Sequence, residues 1–119
     1  MAKIRAVSEV EPRAMEGEAV GVSMRVLIAP DDGAPNFVMR LFVIESGGRT
    51  PFHAHPWEHE VFVLEGKGVV VTEVGETPVG PEQAVFVAPG EKHCFRNTGE
   101  GDLCFLCLVP TEKNYASDT

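Results

Sequence analysis

A period of two is what narrows the choice of fold for this sequence. Residues 20–28, 37–45, 60–64, 69–74, 83–88, 93–96 and 103–109 are short runs rich in Val, Phe, Leu and Ile. Between them lies turn chemistry: Ala29-Pro30-Asp31-Asp32-Gly33, Ser46-Gly47-Gly48, Glu65-Gly66-Lys67-Gly68, Pro78 to Pro81, Pro89-Gly90 and Asn97 to Asp102. Side chains two apart share a face of a strand, so runs of this length at regular spacing predict an all-β sandwich or barrel. No amphipathic helix of more than two turns can be drawn through them. The nine prolines fall between strands or at their edges, where a missing N–H costs nothing. A chain of 119 residues with no internal repeat or low-complexity tract predicts a single domain. We expect the barrel to occupy residues 1–110 and a polar C-terminal tail residues 111–119.

Charge and cysteine content limit the partners. The formal net charge is −8, which repels nucleic acid and anionic membrane surfaces alike. No stretch of about twenty apolar residues is present to span a bilayer. Residues 1–10 carry Lys3, Arg5 and Glu9 among the apolar residues and lack the continuous apolar run of a signal peptide. A cytoplasmic protein is expected. The odd count of three cysteines, Cys94, Cys104 and Cys107, argues against a disulfide framework. Cys104 and Cys107 form a C-x-x-C, but inside a strand positions three apart face opposite sides and cannot grip one ion. All three are expected to be buried free thiols. The run 103–109 is apolar on both faces, so its second side asks for cover, and a homodimer would supply it.

All four histidines lie within 41 positions, and three of them fall in the block His53-Ala54-His55-Pro56-Trp57-Glu58-His59. Read as a strand, His53 and His55 share a face with Cβ atoms roughly 7 Å apart, a spacing that suits two ligands of one ion. Pro56 and Trp57 turn the chain, and His59 opens the next run. His93 begins another strand after Pro89-Gly90 and comes from across the barrel. An isolated histidine is ordinarily a surface residue or a satisfied core residue, and an H-x-H pair can be a protonatable surface patch. Four histidines so concentrated, with none elsewhere, point to a metal site, because neutral imidazole is the commonest transition-metal ligand. Cys94 adjoins His93 and points the other way.

These motifs resemble the cupin superfamily, whose fold is a double-stranded β-helix, or jelly-roll barrel. Its first motif, a glycine followed by H-x-H, a glutamate and a second glycine, is matched by Gly47, His53-Ala54-His55, Glu58-His59-Glu60 and Gly66. Its second motif is matched at Gly90, His93 and Asn97, with Pro89 one place late and the opening glycine displaced to about Gly80. The likeness runs from about Phe37 to Pro110. At the glutamate the chain departs from the pattern. Glu60 satisfies the gap from His55 but not the gap to Gly66, whereas His59 satisfies both. A one-residue slip reverses the face of a strand, so His59 is expected inside and Glu60 outside. The block resembles that of small single-domain cupins with four-histidine sites, some of which bind manganese, and residues 34–42 look like the same subgroup. The resemblance implies one divalent metal ion on His53, His55, His59 and His93, with manganese favoured and iron, nickel, zinc or cobalt open. In such folds an N-terminal strand often pairs with a neighbouring subunit, which again suggests a homodimer.

Four neutral ligands leave the charge of the ion uncompensated, which favours Lewis-acid chemistry and an anionic or chelating small-molecule substrate. A six-coordinate ion would keep two cis positions for water, dioxygen or that substrate. Phe95 shares the face of His93, and Phe105 and Cys107 share a face of the last strand; these three are candidates for the substrate pocket, with plain core as the competing role. Arg40, mid-strand among apolar residues, is expected at the surface. Glu58 could accept an imidazole N–H but is expected as an exposed loop carboxylate. No Ser-His-Asp set, phosphate-cradling loop or second ionisable pair is visible. The leading expectation is a metal-dependent oxygenase. A ligand-binding module or Lewis-acid isomerase is the alternative, and a closed structural zinc site is the weakest reading.

Overall fold

In a computed structural model, which describes residues 2–112, the chain forms one strongly curled antiparallel sheet. The strands are β1 (Arg13–Ala14), β2 (Val20–Ile28), β3 (Phe37–Arg49), β4 (His59–Glu65), β5 (Gly68–Thr72), β6 (Gly75–Val79), β7 (Ala84–Val87), β8 (His93–Asn97) and β9 (Leu103–Pro110). Their order is β6-β5-β8-β3-β9-β4-β7, with β2 on the other side of β3 and β1 beside β2. Two short 3-10 turns, Val7–Glu9 and Pro30–Asp32, complete the described elements. The expected all-β jelly-roll barrel is therefore observed.

Alternation sets the inside and the outside. Along β4, His59, Val61 and Val63 are buried while Glu60, Phe62 and Leu64 are exposed. Along β9, Leu103, Phe105, Cys107 and Val109 are buried and their neighbours half-buried. The pairs Phe42↔Phe105 and Val63↔Phe105 place Phe105 between β3 and β4. Its ring stacks on Phe42 at 5.3 Å and tilts against Phe95 at 4.8 Å. Each such side chain contributes about 1.5–3 kcal/mol by leaving water, and together they form the floor on which the histidines stand.

Three elements differ from expectation. Ser46-Gly47-Gly48 does not end a strand: β3 continues to Arg49, and the pairing with β2 slips between Val20 and Val22. Gly47, at φ +81°, absorbs the extra residues as a bulge, which bends β3 until Arg49 meets Arg96 of β8. The expected run 69–74 stops at Thr72, and β6 occupies part of what read as turn. This strand pairs only with β5 within the sheet path, and such an edge tolerates Pro78. Residues 2–10 form no strand; they hold an exposed 3-10 turn. Of the expected tail, residues 113–119 lie outside the described residues. Thr111 is buried and tied to the 35–36 segment, its N–H donating to the Asn36 carbonyl at 2.9 Å and its hydroxyl to that of Pro35 at 3.0 Å. No helix among the described residues is long and apolar enough to cross a membrane.

Candidate metal centre

Backbone contacts bring the two motifs together before any side chain does. His53 and His93 form an isolated bridge, each N–H donating to the other's carbonyl at 3.1 and 3.0 Å. The Gly90 N–H donates to the His55 carbonyl at 2.7 Å, which fastens the H-x-H segment to the turn that launches β8. Gly90 makes that turn at φ +78°, a left-handed conformation that costs glycine little. His53 and His55 do not lie in a regular strand, since only His53 takes part in a bridge. His59 is the first residue of β4 and faces inward, while Glu60 faces out.

His55, His59 and His93 present ring nitrogens that all lie within 4.8 Å of one another. His53 stands to one side of that trio and is exposed; its Nε2 is 2.8 Å from Nε2 of His55. Nδ1 of His55 is 2.9 Å from Nε2 of His59. His55 thus meets His53 with one ring nitrogen and His59 with the other, and only one of the two can serve a single ion. An outer partner fixes one of the tautomers. The Glu91 carbonyl can only accept, so His93 donates Nδ1–H to it at 2.9 Å and keeps Nε2 free for the cavity. Nδ1 of His59 lies 3.1 Å from Sγ of Cys107, a contact that orients the ring, while its Nε2 faces His55. Trp57 stacks on His55 at 4.6 Å, with the rings 14° apart.

Electrostatics prepares the same nitrogens. Burial, reinforced by the neighbouring imidazoles and Arg40, pushes His55 down to about 4 and His59 to about 3. His93 is also lowered, chiefly by burial, against an opposing pull from the Glu91 carbonyl. Neutral lone pairs, rather than protons, therefore face the cavity at physiological pH. The residues present fit a borderline divalent transition metal: nitrogen-only donors, deprotonated and closely spaced.

The cavity over these rings measures about 240 Å³ and is walled by Phe42, Phe95, Phe105, Trp57 and Met15. Phe95, Phe105 and Cys107 all face it, and the expected split of Cys104 and Cys107 to opposite faces is seen in their burial. Cys94 and Cys107 are buried free thiols; Cys104 is free but only half-buried, because it lies on the outer face of β9. Burial raises all three. Glu58 is exposed in the loop.

Arg40 departs from the surface position expected for it. It shares parity with Phe42 and Ile44, pairs across strands with Cys107, and lines the cavity. Its guanidinium lies 5.0 Å from the centre of the Phe42 ring and donates from Nη2 to Cys107 Sγ at 3.3 Å. That parity was present in the sequence, but β3 is apolar on both faces, so nothing local chose between them. Thr50 and Met15, which also line the cavity, carried no signal in the sequence.

The match that decides the family covers residues 40–109, more than half the chain, and is to the family described as the cupin domain. The chain belongs to the cupin family. This cupin is 34% identical over 97 residues to the polyketide synthase CurC of Streptomyces cyaneus, an overlap of 79% of this chain and 60% of that protein. It is 30% identical over 109 residues to an oxalate-binding protein of Thermotoga maritima, covering 86% of this chain and 88% of the relative. Among solved structures it superposes on the polyketide cyclase RemF of Streptomyces resistomycificus with a TM-score of 0.86 and 35% identity, over 92% and 80% of the two chains. The cupin spans about half to three fifths of the length of the first curated relatives it matches.

Proposed function

We propose that this cupin is a metal-dependent enzyme that acts on a small, flat organic substrate carrying two adjacent oxygens. The observation behind this reading is the convergence of His55, His59 and His93 at the base of an aromatic cavity that no carboxylate of the described residues lines. His55, His59 and His93 would hold a divalent ion with neutral ligands, and its uncompensated charge would supply Lewis-acid polarisation of a substrate oxygen. Phe42, Phe95 and Phe105 position the organic body by stacking and exclude water from it. The Glu91 carbonyl holds His93 in the tautomer that serves the site, and Cys107 steadies the His59 ring. The names polyketide cyclase, for RemF, and polyketide synthase, for CurC, support a carbonyl-rich substrate. Manganese is our first choice of ion, and His53, beside His55, is the candidate fourth ligand. Three free thiols suit a reducing, cytoplasmic setting.

An oxygenase reaction at the same ion is the second reading. The cluster supports it, because a six-coordinate ion held there by three or four imidazoles would keep at least two positions for dioxygen and a substrate.

Elemental analysis of protein purified without added metal tests the shared core of both readings. About one divalent ion per chain is expected. His59→Ala should strip it, and Glu60→Ala should leave it, since Glu60 faces outward. Retention of full metal by His59→Ala together with its loss in Glu60→Ala would overturn the assignment. Oxygen-electrode traces with o-hydroxyacyl phenols and catechols then separate the two: conversion without oxygen uptake is expected, and stoichiometric uptake would establish the oxygenase instead.

A further inference from the structure

Among the described residues, the cavity above the imidazoles contains a permanent cation and no anion. Arg40 offers five N–H donors, yet the acceptors that the described residues give it are sulfur atoms: Cys107 Sγ at 3.3 Å from Nη2, and Met24 Sδ at 3.9 Å from Nη1. Its Nε is buried and meets no acceptor among them. Thiol and thioether sulfurs are weak acceptors, and the face of Phe42 beneath the guanidinium accepts no directed bond. The ion pairs among the described residues are Arg5–Asp32 and Arg96–Glu76, and neither reaches Arg40. No Asp or Glu among the described residues lines the cavity. The Cys107 sulfur lies within contact of both Arg40 Nη2 and His59 Nδ1, so the cation stands one atom away from the candidate metal ligands. A half-buried guanidinium left without a carboxylate is costly, and a metal dication alongside would add to the uncompensated charge. A planar fork of N–H groups is matched by a planar oxyanion.

We infer that Arg40 is an anion subsite and that the molecule bound in this cavity is an aromatic carboxylate. Its carboxylate takes the free N–H groups of Arg40, and its ring lies against Phe42, Phe95 and Phe105. A volume of about 240 Å³ is at the small end for ligand sites and suits a one- or two-ring acid. Arg40 thereby sets specificity by charge, while the imidazoles and their ion act on whatever the guanidinium has oriented. The inference rests on the cavity being the substrate site, and it holds with or without the ion.

Calorimetric titration with benzoate and its neutral counterpart benzyl alcohol tests this, on metal-free and on metal-loaded protein. Benzoate should bind metal-free wild type about tenfold or more tightly than benzyl alcohol, and the preference should shrink as salt is raised. Arg40→Gln should abolish the preference without changing metal content, and Arg40→Lys should restore part of it. An equal affinity for the two probes, no benzoate binding to wild type, or an unchanged preference in Arg40→Gln would overturn the subsite. Should Arg40→Gln fail to fold, the Arg40→Lys variant and the wild-type probe ratio decide. Loss of metal binding with the benzoate preference intact would sink the metalloenzyme reading alone; intact metal with no preference would sink the subsite alone.

Discussion

At the scale of single residues, the centre is a set of histidines kept neutral by where they sit. Ordinary histidine titrates near 6.5, whereas His55 is held near 4 and His59 near 3, first by burial and then by the positive charge of their neighbours. The sign of the consequence follows from proton counting. Between about pH 6.5 and pH 4 the unfolded chain binds protons that the folded chain refuses, so stability falls as pH falls through that window and is fully present above it. We expect urea unfolding of the metal-free protein to show a clear loss from pH 7.5 to pH 5. The double variant His55→Ala/His59→Ala should show a shallower loss. A wild-type midpoint indifferent to pH over that range would mean the rings are not buried as neutral groups. Asn97, the last residue of the second motif, has a different task. Its amide donates to the Ile44 and Gly101 carbonyls at 2.8 and 2.7 Å and accepts from the Gly99 N–H at 2.8 Å. It closes the β8–β9 turn and does not face the site.

At the scale of elements, turns decide which face of each strand reaches the cavity. Gly66 joins β4 to β5 at φ +90°, and a Cβ there would collide with the Asp102 carbonyl oxygen. Backbone meets backbone at that point, so no side chain can yield. Gly66→Ala should therefore destabilise the fold by more than about 1 kcal/mol, read as a lower urea midpoint. It should also loosen His59, whose inward face depends on the register this turn fixes. A midpoint equal to wild type would show that the turn relaxes freely. The β3 bulge at Gly47 works at the same scale. It lets a single strand serve both halves of the curl, so Arg40 and Phe42 wall the cavity while Arg49 pairs beside β8.

At the scale of the molecule, the outer face of β4 and β7 exposes apolar side chains beside half-buried ones of β9 and β3. Phe62 is 43% and Phe86 60% exposed, and cross-strand pairing sets Phe62 beside Leu106 and Leu108 across from Met39. Glu60 is the one charged residue of this patch. Apolar side chains gathered on one sheet face, unlike singly scattered ones, mark an interaction surface. We expect two copies to meet there about a two-fold axis. Sedimentation should give a dimer for wild type and a monomer for Phe62→Lys, with metal content equal in both; a monomeric wild type would refute this arrangement.

Much of this was legible in the chain. Alternation gave the strands, the paired motifs gave the family, and the one-residue mismatch at Glu60 gave the inward face of His59. Each of these depends on parity or spacing along the backbone, which a sequence states directly. Tertiary structure alone decided that three imidazoles converge with His53 to one side, that Gly47 bulges instead of ending its strand, and that Arg40 points inward with no carboxylate of the described residues beside it. The reason is physical. A strand apolar on both faces does not say which face is inside, and distances between rings from separate strands are set by how the sheet curls, which no local pattern encodes.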